Sequence, residues 1–138
     1  MARMELNGLD EYAFDFGELA RLPENVINEM LIAEGDIIRE AQSFYAAKML
    51  QGPYYRGGVA AGVKRGNVKR AKGGKALYVT FEGEQHGNRL AEIAFINEFG
   101  KRSQPPRQFI RTANEENAET AVNAAAEIYD DYLKSLGF

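Results

Sequence analysis

The chain has 138 residues, 45% of them hydrophobic and 27% charged, with a net charge of −3 and no cysteine. That length supports one domain with its own core, burying roughly two-thirds of the surface that the unfolded chain exposes. Disulfides, thiolate chemistry and cysteine-based zinc sites are excluded, no run approaches the ~18 uncharged apolar residues of a membrane span, and Met1-Ala2-Arg3-Met4-Glu5 does not read as a secretory signal.

The charge is unevenly placed. No acid lies between Glu40 and Glu82, whereas Lys48, Arg56, Lys64, Arg65, Lys69, Arg70, Lys72 and Lys75 all do. That stretch carries +8, so the remainder of the chain carries −11. From Thr112 to Leu133 there are six acids, Glu115, Glu116, Glu119, Glu127, Asp130 and Asp131, and no base. One basic stretch and one acidic helix allow head-to-tail pairing between copies, and both also suit solvated surface.

In chain order, residues 5–20 place Leu9, Tyr12, Phe16 and Leu19 at steps of three or four, which predicts a lead-in strand and then a short helix from about Asp10. Pro23 favours a first helical turn. Val26, Met30, Ala33, Ile37, Ala41 and Phe44, widened by Ile27, Leu31, Ile38, Tyr45 and Met49, predict a long helix over 23–51 that ends at Gly52-Pro53. Gly35 interrupts it at a cost of roughly 1 kcal/mol relative to alanine. Seven of the fourteen glycines fall in 52–75, so that basic segment is expected to be flexible, ordering on a partner. Leu77, Val79 and Phe81 alternate with Tyr78, Thr80 and Glu82, which predicts a half-buried strand over 75–82. A turn at 83–88 follows. Residues 90–99 are apolar on both faces, a pattern that fits a central strand or a helix, and the short connection favours a strand antiparallel to 75–82. Thr112-Ala113-Asn114-Glu115 matches a capping box, with a terminal helix over 114–136 whose apolar stripe includes Ala118, Val122, Ala125, Tyr129 and Leu133. The expected fold is α+β, one domain over 1–138: a small antiparallel β-sheet packed by a long central helix and a long C-terminal helix.

Catalytic chemistry has little to work with. The one histidine, His86, sits in a glycine-flanked turn; Ser43, Ser103 and Ser135 lack a nucleophile-elbow setting. Gly73-Gly74-Lys75 is followed by Ala76, which offers no hydroxyl for a phosphate-loop magnesium. Glu115/Glu116 and Asp130/Asp131 are neighbours that point in different directions on a helix. No catalytic, cofactor-binding or metal-ligating residue is assigned, and no enzyme activity is expected. Nucleic-acid binding is the competing reading, since Lys64 to Lys75 can meet several phosphates and Tyr54 and Tyr55 can stack on bases.

Four stretches, in order along nearly the whole chain, carry a family resemblance. They are Glu5-Leu6-Asn7-Gly8-Leu9-Asp10-Glu11; the long helix of 23–51; Tyr55-Arg56-Gly57-Gly58-Val59-Ala60-Ala61-Gly62-Val63; and Glu98, Phe99, Gly100, then Pro106, Arg107, Phe109, Ile110 and Ala113. Together they resemble the tail-completion, or head–tail joining (neck), proteins of long-tailed, lambda-like bacteriophages and prophages. The last stretch is the most specific. It departs from the family's pattern where Lys101 replaces threonine and Gln108 replaces a second proline, and the third stretch lacks its threonine.

The resemblance implies a structural virion protein at the head–tail junction, present in the host cytoplasm during assembly. It would join other phage neck and tail proteins as a ring between the head-completion protein and the tail tube, with no membrane partner. A monomer before assembly is compatible with this. Arg56, Lys64, Arg65, Lys69, Arg70 and Lys72 are expected at subunit contacts or near DNA in the lumen. Arg107 and Arg111 are expected to pair with acids, and Glu115 and Glu119 to form the complementary face. Glu98, Phe99, Gly100, Pro106 and Phe109 would form a rigid corner that leads from sheet to terminal helix.

Overall fold

The computed structural model describes residues 22–50, 58–72 and 74–137. The lead-in strand and short helix expected over 5–20 lie outside them, as do Arg56 and the stretch 51–57.

Helix α1 spans Glu24–Met49. Pro23, at φ −57°, cannot donate a hydrogen bond, but its carbonyl accepts from the amides of Val26 (3.1 Å) and Ile27 (3.2 Å) and so opens the first turn. The buried positions, Val26, Ile27, Met30, Leu31, Glu34, Gly35, Ile38, Ala41, Gln42 and Ala46, form one wide helical stripe. A single turn, α2 (Gly58–Ala61), follows. The last helix, α4 (Phe109–Ser135), returns antiparallel along α1: Val26 and Met30 meet Ala125, Tyr129 and Tyr132, while Gln42 meets Asn114.

Between the long helices the described residues build three two-stranded antiparallel ladders: β1 (Val63–Arg65) with β4 (Val79–Phe81), β2 (Lys69–Ala71) with β3 (Gly74–Ala76), and β5 (Glu84–Gln85) with β6 (Asn88–Arg89). The expected α+β class holds, with the β structure as ladders.

The described part of the basic segment, expected to be flexible, contains paired strands. Residues 63–72 and 74–81 pair as one long hairpin. Val63 pairs with Phe81, Arg65 with Val79, and Gly66 donates to the Tyr78 carbonyl at 2.8 Å; further out, Lys69 pairs with Ala76 and Ala71 with Gly74. The register slips by one residue between the two ladders, because Asn67 and Val68 together oppose Leu77. That is a β-bulge, and it bends the arm. It also divides the single strand expected over 75–82 into β3 and β4. The predicted alternation survives the break: Leu77, Val79 and Phe81 are partly buried, and Tyr78, Thr80 and Glu82 are exposed.

The arm lies along α1, with Val68 and Leu77 packed on Ile27 and Leu31. Gly35 makes this approach possible. A Cβ there would lie 2.5 Å from Leu77 Cδ2 and 3.2 Å from Arg65 Cδ, so the glycine is a close-packing site on the helix.

Residues 90–99 are a helix, α3 (Leu90–Phe99), and the antiparallel strand expected there is corrected. The buried positions are Leu90, Ala94 and Glu98, spaced by four. The antiparallel partner of β4 is β1 instead. The reversal is completed earlier, where His86 (φ 53°) and Gly87 (φ 79°) make a two-residue turn of the I′ kind.

The main core joins four helices: Ala46 and Leu50 from α1, Val59 from α2, Leu90 and Ala94 from α3, and Phe109 from α4. Phe109 has no exposed surface and meets Phe81 edge-on, with ring centroids 5.8 Å apart. Phe95, outside the buried stripe of α3 formed by Leu90, Ala94 and Glu98, is 62% exposed. Two identical chemical changes should therefore differ widely. In denaturant unfolding, Phe109→Ala should cost about 3–5 kcal/mol and Phe95→Ala less than about 1 kcal/mol. Equal costs would contradict the orientation of α3.

Candidate functional site

The corner between α3 and α4 is built from nearly every residue of the most specific sequence stretch. Gly100 ends α3 at φ +81°, and its amide donates to the Ile96 carbonyl at 2.7 Å. A side chain at that position would also strike the Pro106 nitrogen at 2.7 Å and the Gln104 carbonyl at 2.9 Å. Lys101 and Gln104 exchange backbone hydrogen bonds at 2.8 and 3.0 Å across a tight turn. Asn97 fastens that turn: its Oδ1 accepts from Gln104 Nε2 at 3.0 Å, and its carbonyl accepts the Arg107 amide at 2.7 Å. Pro105-Pro106 keeps the connection extended and bars an earlier helix start.

Helix α4 then starts at Phe109, three residues before the expected capping box. Thr112 lies inside the first turn, where its hydroxyl donates to the Gln108 carbonyl at 2.8 Å. The cap is Glu98. Its carboxylate accepts the amides of Ile110 at 2.7 Å (Oε2) and Arg111 at 3.1 Å (Oε1) while only 6% exposed. Each charge-assisted bond of this kind contributes roughly 1.5–3 kcal/mol, and the positive end of the helix favours the anion further. Gln108, in the left-handed region at φ 47° and ψ 41°, turns the chain into this geometry. Since the helix begins at Phe109, Glu115, Glu116 and Glu119 lie beyond its first turn, which contains no acid.

The remaining predicted residues divide into committed and outward-facing. Arg65 is committed: its Nε reaches Asp36 Oδ1 at 2.5 Å and its Nη1 donates to the Gly66 carbonyl at 3.1 Å. Lys75 Nζ lies 3.0 Å from Asn28 Oδ1 and 3.6 Å from Glu24, with its side chain 15% exposed. Arg111 pairs with Glu115 one turn on, at 2.9 Å, which raises the guanidinium pKa through the hydrogen bond and the charge of Glu115. Arg107 is half-buried in the corner. Lys64, Lys69, Arg70 and Lys72 are exposed on the hairpin arm, with Arg70 3.9 Å from Glu24. Glu115, Glu116, Glu119, Glu127, Asp130 and Asp131 are all exposed on α4. Phe99 is 66% exposed and tilted against Phe95 at 4.8 Å.

One feature was not foreseen from the sequence. Between α1, the arm and the start of α4 lies a cavity of about 260 Å³, into which Glu34, Gln42, Asn114, Tyr78, Ile38 and Leu77 contribute surface. Glu34 and Gln42 are 7% and 5% exposed, and each has an Oε1 without a hydrogen-bond partner. Burial pushes the Glu34 carboxyl from its usual 4.5 up to about 7. The sequence signal was there, since both residues occupy the apolar stripe of α1, but the periodicity reading passed over polar residues in it.

Comparison of the chain with family models, with curated proteins and with solved structures gives no match.

The buried carboxyl of Glu34 makes stability depend on pH. Its folded-state pKa is raised, so the native chain holds more protons than the unfolded one between about 4.5 and about 7. The stability linked to that proton is fully present at low pH and is lost as pH rises through about 7. Glu34→Gln should therefore gain stability relative to the parent chain, by up to about 3 kcal/mol, on going from about pH 5 to about pH 8. Thermal unfolding of both proteins across that range checks it; a difference that stays flat with pH would contradict the burial.

Proposed function

We propose that the chain is a structural virion protein of the phage head–tail junction, a tail-completion or neck component that assembles in a ring joining the head-completion protein to the tail tube, and that it is not an enzyme. The observation that carries this reading is the 98–113 corner. The residues that produce the resemblance are the ones this corner needs: Glu98 as cap, Gly100 at positive φ, Pro106 in the extended link, and Phe109 and Ala113 with no exposed surface. A match that reflected composition alone would have no reason to coincide with one mechanical device.

The distribution of charge supports assembly by unlike surfaces. A ring requires two different and complementary patches on each subunit. The exposed cations of the arm, Lys64, Lys69, Arg70 and Lys72, and the exposed acids of α4 supply such a pair. The same cations, exposed on the hairpin, favour a second reading in which the arm meets the phosphates of duplex DNA.

Light scattering distinguishes the two. The expected outcome is a chain that gains mass as a ring or stable complex when mixed with neck and tail-tube proteins of the same phage. The combined Lys69→Glu, Arg70→Glu and Lys72→Glu protein should keep its circular dichroism and lose that gain. Arg65 is left unchanged because its ion pair holds the arm to α1. A chain that ignores those proteins and instead binds duplex DNA, with affinity falling steeply as salt rises, would replace this reading with the nucleic-acid one.

A further inference from the structure

Glu34 and Gln42 stand eight residues apart on the buried face of α1, which separates them by about 12 Å along the helix axis. Eight residues also turn about 80° round the axis, so the ends of the two side chains lie roughly 12–14 Å apart. Both line one cavity, both are more than nine-tenths buried, and each holds an oxygen acceptor without a partner. Gln42 Nε2 already donates to Asn114 Oδ1 at 3.0 Å, so its remaining unpartnered atom is the oxygen. Ile38 lies midway between the two, with Leu77 also in the wall.

Among the described residues, the titratable groups round the cavity are Glu34 on α1 and Lys72, Lys75 and Tyr78 from the arm; α4 contributes only Asn114. Neither lysine compensates Glu34. Lys75 Nζ is held by Asn28 and Glu24, Lys72 is exposed, and burial alone acts on the Glu34 carboxyl. The arrangement is thus an uncompensated acid at one end, an apolar middle and an amide oxygen at the other. Allowing a hydrogen bond of about 2.9 Å at each end leaves about 6–8 Å between the donors of a ligand that spans them. That is the length of a short diamine. The volume of about 260 Å³ accommodates it with a few waters.

We propose that this cavity is a binding site for a linear aliphatic diamine, with one ammonium on the Glu34 carboxylate, the methylene chain along Ile38 and Leu77, and the second ammonium on Gln42 Oε1. Binding is proton-linked in a defined sense. The site takes the amine when Glu34 is ionised, so affinity rises with pH through about 7, and below that pH binding releases a proton from Glu34.

Isothermal titration calorimetry of the full chain with cadaverine tests this, with pentanediol as the uncharged control of equal length. The expected result is saturable one-to-one binding at about pH 8, weakened by about tenfold at about pH 6. Glu34→Gln should lose at least about tenfold, Gln42→Leu should lose a smaller factor, and pentanediol should give no saturable heat. No saturable binding of cadaverine at the higher pH, equal binding of the diol, or unchanged binding to Glu34→Gln would each overturn the site. Should Glu34→Gln fail to fold, the parent chain decides: equal affinity at both pH values overturns it, and the tenfold loss supports it.

Discussion

The carboxylate of Glu98, at the end of one helix, accepts the first free amides of another, Ile110 and Arg111. Much of the fold depends on that contact. A helix start leaves its first amides without partners, and burying them unpaired costs more than most single contacts return. Here the start is buried because Phe109, the largest fully buried side chain, must reach the cluster formed by α1, α2 and α3. Glu98 allows that burial by meeting the amides from inside. In turn the amides give both carboxyl oxygens of Glu98 a partner at 6% exposure. Gly100 and the Pro105-Pro106 link carry the chain round between the two partners, so cap, turn and anchor form one unit.

From this corner the rest of the architecture follows in order. Once Phe109 is placed, α4 runs back along α1 and closes on it at Val26, Met30 and Ala125. The hairpin arm covers the exposed side of α1, brought close by Gly35 and bent by the bulge at Asn67 and Val68. The cavity lies where the arm, α1 and the start of α4 fail to fill the space between them. It is lined in part by Glu34 and Gln42, polar residues in an otherwise apolar stripe. The fold therefore presents a rigid corner, a basic arm and an acidic helix face outward, and keeps one polar cavity beneath the arm.

Much of this was legible in the sequence, and the limits have physical causes. Helix α1 was readable because twenty-six residues of helical periodicity outweigh one internal glycine. The inward set of Leu77, Val79 and Phe81 was readable because period-two alternation survives a bulge on the opposite strand. Helix α3 was misread because apolar side chains on both faces carry no phase; only the spacing of Leu90, Ala94 and Glu98 separates helix from strand there, and Glu98 does not register as a core residue by type. The strands of the arm carry no local signal, because its glycines and lysines hide a pairing partner that arrives only several residues later. The start of α4 was displaced because a capping box is a local signal, whereas the true cap lies twelve residues before the amide it serves. Tertiary hydrogen bonds of that kind leave no local pattern to read.

Glu98 holds the corner together as the cap of α4, and amide hydrogen exchange followed by NMR tests this directly in the unmodified protein. The amides of Ile110 and Arg111 should exchange as slowly as those at the centre of the helix, around Ala121 and Val122, because they open only when the corner does. Exchange at those two amides as fast as at a frayed helix end, with the centre of α4 still protected, would show that the carboxylate does not hold them and would contradict the account.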